Sequence, residues 1–226
     1  MINHSVDDPL ASLKAGLYQI RQPGTDGWPK PDGCYVKLMD AECNAGSLEV
    51  VDLTMTGQLR DLGYIAALYS HLPPQRLEHA LAIVEARQNV VDARVQAGEL
   101  TPKLIIPTTA FDECAEKAPD RVPYMARQVI GAVEMGWKIS MIPQKQIKRH
   151  VLGQNIVSCL VFGNMPTEPT AAVYYEYAAG EEPHESWFTD VETVREHKDI
   201  YKRLARFAIS HNNMMVGLEA LAKGRR

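Results

Sequence analysis

Apolar positions in the middle of the chain recur with the spacing of an amphipathic helix. In segment 73–98, "PPQRLEHALAIVEARQNVVDARVQAG", they follow one another at intervals of three and four residues. The stripe predicted to face the core consists of Leu77, Leu81, Val84, Gln88, Val91 and Val95. Gly98 is a suitable C-terminal stop. The pattern therefore predicts one long helix with a largely buried face.

Further helices are predicted from their caps. Asp120 is a candidate N-cap for a helix that ends before Gly136. Thr189, followed three residues later by Glu192, matches a capping box, and Ser210 can cap a last helix. Two shorter helical patterns cover residues 9–18 and 35–43.

Short runs rich in β-branched and aromatic residues predict strands. They are "KLIIPTTAF" (103–111), "WKISMI" (137–142), "NIVSCLVF" (155–162) and "AAVYYEY" (171–177). The last two are expected to pair as an antiparallel hairpin. The order of elements predicts an α+β fold, with a small mixed or antiparallel sheet packed with several helices. Because Pro and Gly are dense in "RQPGTDGWPKPDG", we assign residues 1–34 to an N-terminal arm and 35–226 to a single domain.

Composition narrows the function classes. An apolar fraction of 46% and a charged fraction of 23% are typical of a globular protein. The net charge of −4 argues against broad electrostatic capture of nucleic acid. The start "MINHSVDDPL" does not resemble a signal peptide, and no apolar stretch is long enough to span a membrane. We therefore expect a cytoplasmic protein that does not associate with membranes.

The residues that most often carry chemistry are scattered. Cys34, Cys43, Cys114 and Cys159 have neither zinc-site nor disulfide-framework spacing, and the histidines form no metal motif. No metal or cofactor is therefore expected. Cys114 is either a nucleophile or, more often for such a residue, a small hydrophobe on a helix. A single Gly57 in "TMTGQLRDLGYIAAL" (54–68) does not make a phosphate loop.

Two places combine polar groups with predicted core. Alternation puts Tyr174 and Glu176 on one face of their strand, where Glu176 either titrates beside a ligand or lies in water. Gln88 interrupts an apolar helical stripe beside Arg87, so it either braces the backbone or meets a ligand.

Several motifs in order resemble one family, the C-terminal effector domains of actinobacterial, antitoxin-like helix-turn-helix transcriptional regulators. The loop 55–68, "MTGQLRDLGYIAAL", is similar to the pocket-forming turn of that family and keeps Gly57, Leu59, Tyr64, Ala67 and Leu68. The other similar motifs are "LMDAE" (38–42), "ARQ" (86–88), "MARQVIGAVEMGWKISMIP" (125–143), "VYYEY" (173–177) and the terminal helices. The resemblance covers residues 35–223.

The resemblance implies a stand-alone regulatory domain that senses a small-molecule ligand or a small protein partner. Members of the family carry a DNA-binding domain ahead of this one, whereas only 34 residues precede Tyr35. We therefore expect no DNA-binding unit of its own and no direct binding of nucleic acid. A partner protein or a homodimer would transmit the signal.

Six residues are predicted to bind the ligand: Arg60, Asp61, Arg87, Gln88, Tyr174 and Glu176. An arginine at such a site would select an anionic group. The alternative is a biosynthetic enzyme on the same fold, with Glu176 or Asp61 as general base and an arginine that binds an anion. A structural interaction module is a third reading, and whether the protein is an enzyme stays open.

Overall fold

The predicted α+β class is confirmed by a computed structural model, which describes residues 9–53, 59, 61–150, 156–179 and 182–224. The helices are α1 (Pro9–Ile20), α2 (Cys34–Asn44), α3 (Leu62–Leu68), α4 (Pro74–Gln96), α5 (Ala110–Lys117), α6 (Val122–Met135), α7 (Gln144–His150), α8 (Val191–Ala205) and α9 (His211–Ala222). The strands are β1 (Ser47–Asp52), β2 (Lys103–Pro107), β3 (Lys138–Ile142), β4 (Ile156–Gly163), β5 (Ala171–Ala179) and β6 (Glu182–Phe188).

These strands form one mixed sheet in the order β3-β2-β1-β4-β5-β6. Strands β1, β2 and β3 are parallel, while β4, β5 and β6 continue the sheet with antiparallel pairings. The predicted β4–β5 hairpin is confirmed. The carboxyl ends of the parallel strands therefore lie at the same edge as the start of β4, the end of β5 and the start of β6.

The hydrophobic pattern does not predict β1 or β6. Strand β1 is covered on both faces, so "SLEVVD" lacks the alternation that marks a half-exposed strand. Strand β6 lies at the edge of the sheet and reads "EPHESWF", which has few apolar residues. Strand β1 forms by pairing with β2 and β4, which lie far away in the sequence. Strand β6 forms by pairing with β5, whose sequence predicts a strand more strongly.

Helices cover both faces of the sheet. One face, which includes Val50 and Leu104, packs with residues of α2, α4 and α6 in the largest hydrophobic core. The opposite face, which includes Val51 and Ile105, packs under α8. Helix α1 lies outside α4 and buries Leu17 against it. The segment assigned to an N-terminal arm thus contributes a packed helix.

Helix α4 forms where predicted, but its buried stripe is different. Val91 and Val95 are buried as expected, whereas the other predicted positions, Leu77, Leu81, Val84 and Gln88, are only partly buried. The fully buried side of α4 instead includes Arg87 and Arg94. Hydropathy alone places arginines in water, but here buried oxygen atoms accept their hydrogen bonds.

The predicted caps are partly correct. Ser210 caps α9 by accepting a hydrogen bond from the Asn213 amide at 3.3 Å. Asp190, rather than Thr189, caps α8 and accepts from the Thr193 amide. Asp120 lies in a short 3-10 turn before α6 and does not cap it. Gly136 ends α6 with a φ of 122°, a conformation that favours glycine.

In the described part of the chain, no helix is long and apolar enough to cross a membrane. The same residues contain no cluster of His, Cys, Asp or Glu that could hold a metal ion.

Candidate functional site

Four polar residues form a continuous row across the sheet. Asp52 pairs with Ser158, Ser158 with Glu176, and Glu176 with Glu185, on four neighbouring strands. Directly paired residues present their side chains on the same face, so all four share the face that α2 and α4 cover. We call these four residues the polar row.

The polar row interrupts an otherwise apolar surface. The next row inward contains Val50, Leu160, Tyr174 and Trp187. Asp52 and Ser158 are almost completely buried, and Glu176 is partly buried. The Ser158 hydroxyl donates to Oε2 of Glu176 at 3.4 Å. The carboxylates therefore lie on the core side of the sheet, where burial of a charge is unfavourable unless partners compensate it.

Glu185 links the polar row to helix α2. Burial raises the pKa of its carboxyl group, and three neighbours oppose the shift: the Tyr174 side chain, the positive charge of Arg87 and the backbone amide of Tyr35. Tyr35 lies in the first turn of α2. The Glu185 carboxylate is therefore placed where orphan amides and the helix dipole favour a negative charge.

A buried ion pair lies behind the row. Nε and Nη2 of Arg87 donate to the two carboxylate oxygens of Glu42, each at 2.5 Å, and Nη1 donates to the Tyr35 hydroxyl at 2.6 Å. The side chains of Arg87 and Glu42 are 4% and 1% exposed. Burial alone would lower the pKa of Arg87, but the charge and hydrogen bonds of Glu42, together with Tyr35, outweigh it and hold the pKa above its ordinary value. The pair fixes α4 on α2.

Two tyrosines complete the site from the α3 side. Tyr64 is fully buried, and among the described residues its hydroxyl has no hydrogen-bond partner. Burial raises the pKa of Tyr64, with further contributions from Glu113, Cys114 and Asp52. Burial also raises the pKa of Tyr69, and the charges of Glu176 and Tyr35 raise it further. Both hydroxyls are therefore within electrostatic range of the polar row.

Tyr174 and Glu176 share the sheet face expected from alternation. Glu176 is a member of the polar row, and Tyr174 lies one row inward. Burial raises the pKa of Tyr174, the charges of Glu176 and Glu185 raise it further, and the charge of Arg87 opposes the shift. Three of the predicted residues, Arg87, Tyr174 and Glu176, are thus brought into one neighbourhood. The Arg87 guanidinium is engaged by Glu42, a geometry that supports a structural role and gives no support to an anion site there.

Two further predicted residues, Asp61 and Gln88, have partners outside the polar row. Asp61 caps α3 by accepting from the Tyr64 amide at 2.8 Å, and Arg121 approaches it at 3.9 Å. Gln88 donates to Asp92 at 2.8 Å, while its own carbonyl oxygen is buried with no partner among the residues that the structure describes. Arg60 and most of the loop 54–60 lie outside the described residues, so their place at the site stays a prediction.

Sequence reasoning missed three members of the polar row: Asp52, Ser158 and Glu185. The signal that could have found Asp52 and Glu185 is a charged residue inside or at the end of a strand, but β1 and β6 were themselves not predicted. Ser158 lies inside the predicted strand "NIVSCLVF", where a serine carries little information by itself. Only the strand register brings the row together.

Comparison with known proteins does not identify the chain. No protein-family model matches it. No curated protein and no solved structure is significantly similar to it. The resemblance to the effector domains of transcriptional regulators therefore stays a prediction.

Proposed function

We propose that this protein is a cytoplasmic regulatory domain that senses a small polar molecule at the carboxyl ends of β1, β2 and β3. The observation that carries the proposal is the polar row together with the buried hydroxyl of Tyr64, which has no hydrogen-bond partner in the part of the chain that the structure describes. Sheets of parallel strands bind ligands outside the carboxyl ends of those strands. A buried hydroxyl without a partner costs stability and calls for an explanation, which a ligand would supply.

The chemistry of the lining favours a ligand rich in hydrogen-bond donors. Ionised carboxylates only accept hydrogen bonds, and three of the four residues in the polar row carry one. Arg87, the cation beside them, already neutralises Glu42. Hydroxyl, ammonium or guanidinium groups of a ligand therefore match the row better than the anionic group that an unpaired arginine would select.

Transmission would pass through α2. Glu185 accepts from the Tyr35 amide at the start of this helix, and Glu42, further along it, holds Arg87 of α4. A ligand that hydrogen-bonds to Glu185 would compete with the Tyr35 amide and so weaken the contact between Glu185 and the first turn of α2. A partner protein or a second copy that contacts this region would then read the change, as the resemblance to effector domains suggests.

Native mass spectrometry of the freshly purified protein tests the proposal. We expect a retained small molecule that is lost in Tyr64→Phe and Glu176→Gln. Tyr124→Phe is the matched control, because the Tyr124 side chain is 50% exposed and lies on α6. If the protein carries nothing, thermal shift against fractions of a bacterial metabolite extract replaces the first measurement. An unliganded protein that no fraction stabilises contradicts the proposal, as does equal retention in all three variants.

A second candidate function is an enzyme with an acid-base carboxylate pair. Glu176 and Glu185 are directly paired on adjacent strands, and burial raises the pKa of Glu185. Neighbouring carboxylates with different environments can divide the roles of base and acid. Incubation of the retained molecule with the protein would show conversion in this case. Loss of conversion in Glu185→Gln with retained binding would favour the enzyme over the sensor.

A further inference from the structure

A second site is suggested by a groove on the other side of the sheet, away from the polar row. The groove has a volume of about 360 Å³ and runs between α8, the β4–β5 connection and the junction of β6 with α8. This volume is within the range of small-molecule sites, which is about 300–1,000 Å³. None of its lining residues belongs to the polar row. We call it the α8 groove, and its function does not depend on the proposal above.

One wall of the α8 groove is cationic. Arg195, Lys198 and Lys202 line it at intervals of three and four residues, which places them on one side of the helix. Lys202 is 3.3 Å from Asp199. Among the described residues, no carboxylate lies within ion-pair distance of Arg195 or Lys198. Arg195 and Lys198 therefore line the groove outside ion-pair distance of its two carboxylates, Glu168 and Asp199, in a chain whose net charge is −4.

The ammonium group of Lys198 lies over the end of β4. Its side chain is partly buried, and its Nζ would lie 3.2 Å from a Cβ atom added to Gly163. The glycine therefore leaves room for the ammonium group at the end of β4. A partly buried cation loses less side-chain entropy on binding an anion than a fully exposed lysine does.

The rest of the groove contains two carboxylates, Glu168 and Asp199, of which Asp199 pairs with Lys202, and a set of apolar or hydroxyl-bearing residues. Val191, in the first turn of α8, is 80% exposed. It lines the groove together with Val194 and Ala171, and the hydroxyl residues Thr170 and Thr189 lie at the same place. An apolar surface beside unpaired cations matches a molecule with an anionic head and an apolar body.

We propose that the α8 groove binds an amphipathic anion, in which a phosphate or carboxylate head contacts Arg195 and Lys198 and an apolar body covers Val191. The guanidinium fork of Arg195 supplies paired hydrogen-bond donors for either head group. Lys198 adds a second positive charge from the floor of the groove. Val191 and Val194 supply the surface that distinguishes an amphipathic anion from a simple one.

The test is a titration of the full-length protein followed by ¹⁵N amide resonances, with phenyl phosphate, benzoate, inorganic phosphate and phenol as probes. We expect phenyl phosphate or benzoate to shift the resonances of Thr170, Val191 and Lys198. The double variant Arg195→Gln/Lys198→Met should weaken that binding at least about tenfold, since it removes both positively charged hydrogen-bond donors to the head group. Arg203→Gln, an exposed change elsewhere on α8, is the matched control.

Two further comparisons distinguish recognition of the anionic head group from recognition of the apolar body of the ligand. Val191→Ser should weaken phenyl phosphate or benzoate but leave inorganic phosphate unchanged, and the preferred probe identifies the head group. The proposal is overturned if neither aromatic anion shifts groove resonances, or if the double variant binds as the wild type does. It is also overturned if phenol or inorganic phosphate binds as tightly as the aromatic anions, because the groove would then not recognise both parts.

Discussion

Removing the charge of Glu42 should destabilise the protein more than any surface ion-pair change. In Glu42→Gln, the Arg87 guanidinium stays buried but loses a carboxylate that accepts from it at two points, each at 2.5 Å. Two charge-assisted hydrogen bonds contribute about 1.5–3 kcal/mol each. The neutral amide recovers part of one of them. Breaking a buried pair on one side costs about 3–5 kcal/mol, which agrees with this sum.

The assay is equilibrium unfolding in urea, with the free energy of unfolding extrapolated to water. Lys117→Gln is the matched control, because the Glu113–Lys117 pair has a similar distance, 2.7 Å, but both side chains are exposed. Such a helical surface pair contributes only about 0.3–0.5 kcal/mol. The comparison therefore separates the effect of burial on the free energy of unfolding from the effect of charge pairing alone.

A double variant separates loss of the pair from an unpaired buried charge. Glu42→Leu/Arg87→Met replaces both groups by apolar side chains, and such replacements are often neutral or stabilising by about 1–4 kcal/mol. We expect it to be more stable than Glu42→Gln. The reasoning would be refuted if Glu42→Gln cost less than about 1 kcal/mol, or if the double variant were less stable than the single one.

Three further predictions concern other parts of the site. Arg94→Met should lower the free energy of unfolding by about 2–4 kcal/mol, because Arg94 donates to the carbonyl oxygens of Glu42 and Ala45 at the end of α2; urea unfolding that shows no change would contradict this. Tyr64→Phe should leave stability unchanged or raise it by about 1 kcal/mol, since the hydroxyl has no partner within the described ranges; a clear loss in the thermal unfolding temperature of the unliganded protein would argue against it. Because the pKa of Glu185 is raised above 4.5, the folded protein binds this proton more tightly than the unfolded chain, so stability falls as the pH rises from 4.5 through the folded-state pKa. Glu185→Gln should remove that part of the decline, and an identical pH dependence of stability in the variant would refute the assignment.

The site could be predicted only in part. Tyr174 and Glu176 were found because a strand alternates its side chains, a rule that needs no tertiary information. Arg87 was singled out, but its engagement by Glu42 was not, since the two residues are separated by 45 positions. The polar row could not be assembled at all, because its members come from strands whose register depends on the whole sheet.

The sequence by itself determined the local elements: the long helix α4, the helix α6 that ends at Gly136, and the β4–β5 hairpin. These follow from periodicity and from turn and cap residues within a few positions of one another. Only the tertiary structure decided which polar groups enter the core, as with Arg87 and Arg94, and which apolar groups stay outside, as with Val191. Burial of a charge depends on a partner from another element, and no local pattern contains that partner.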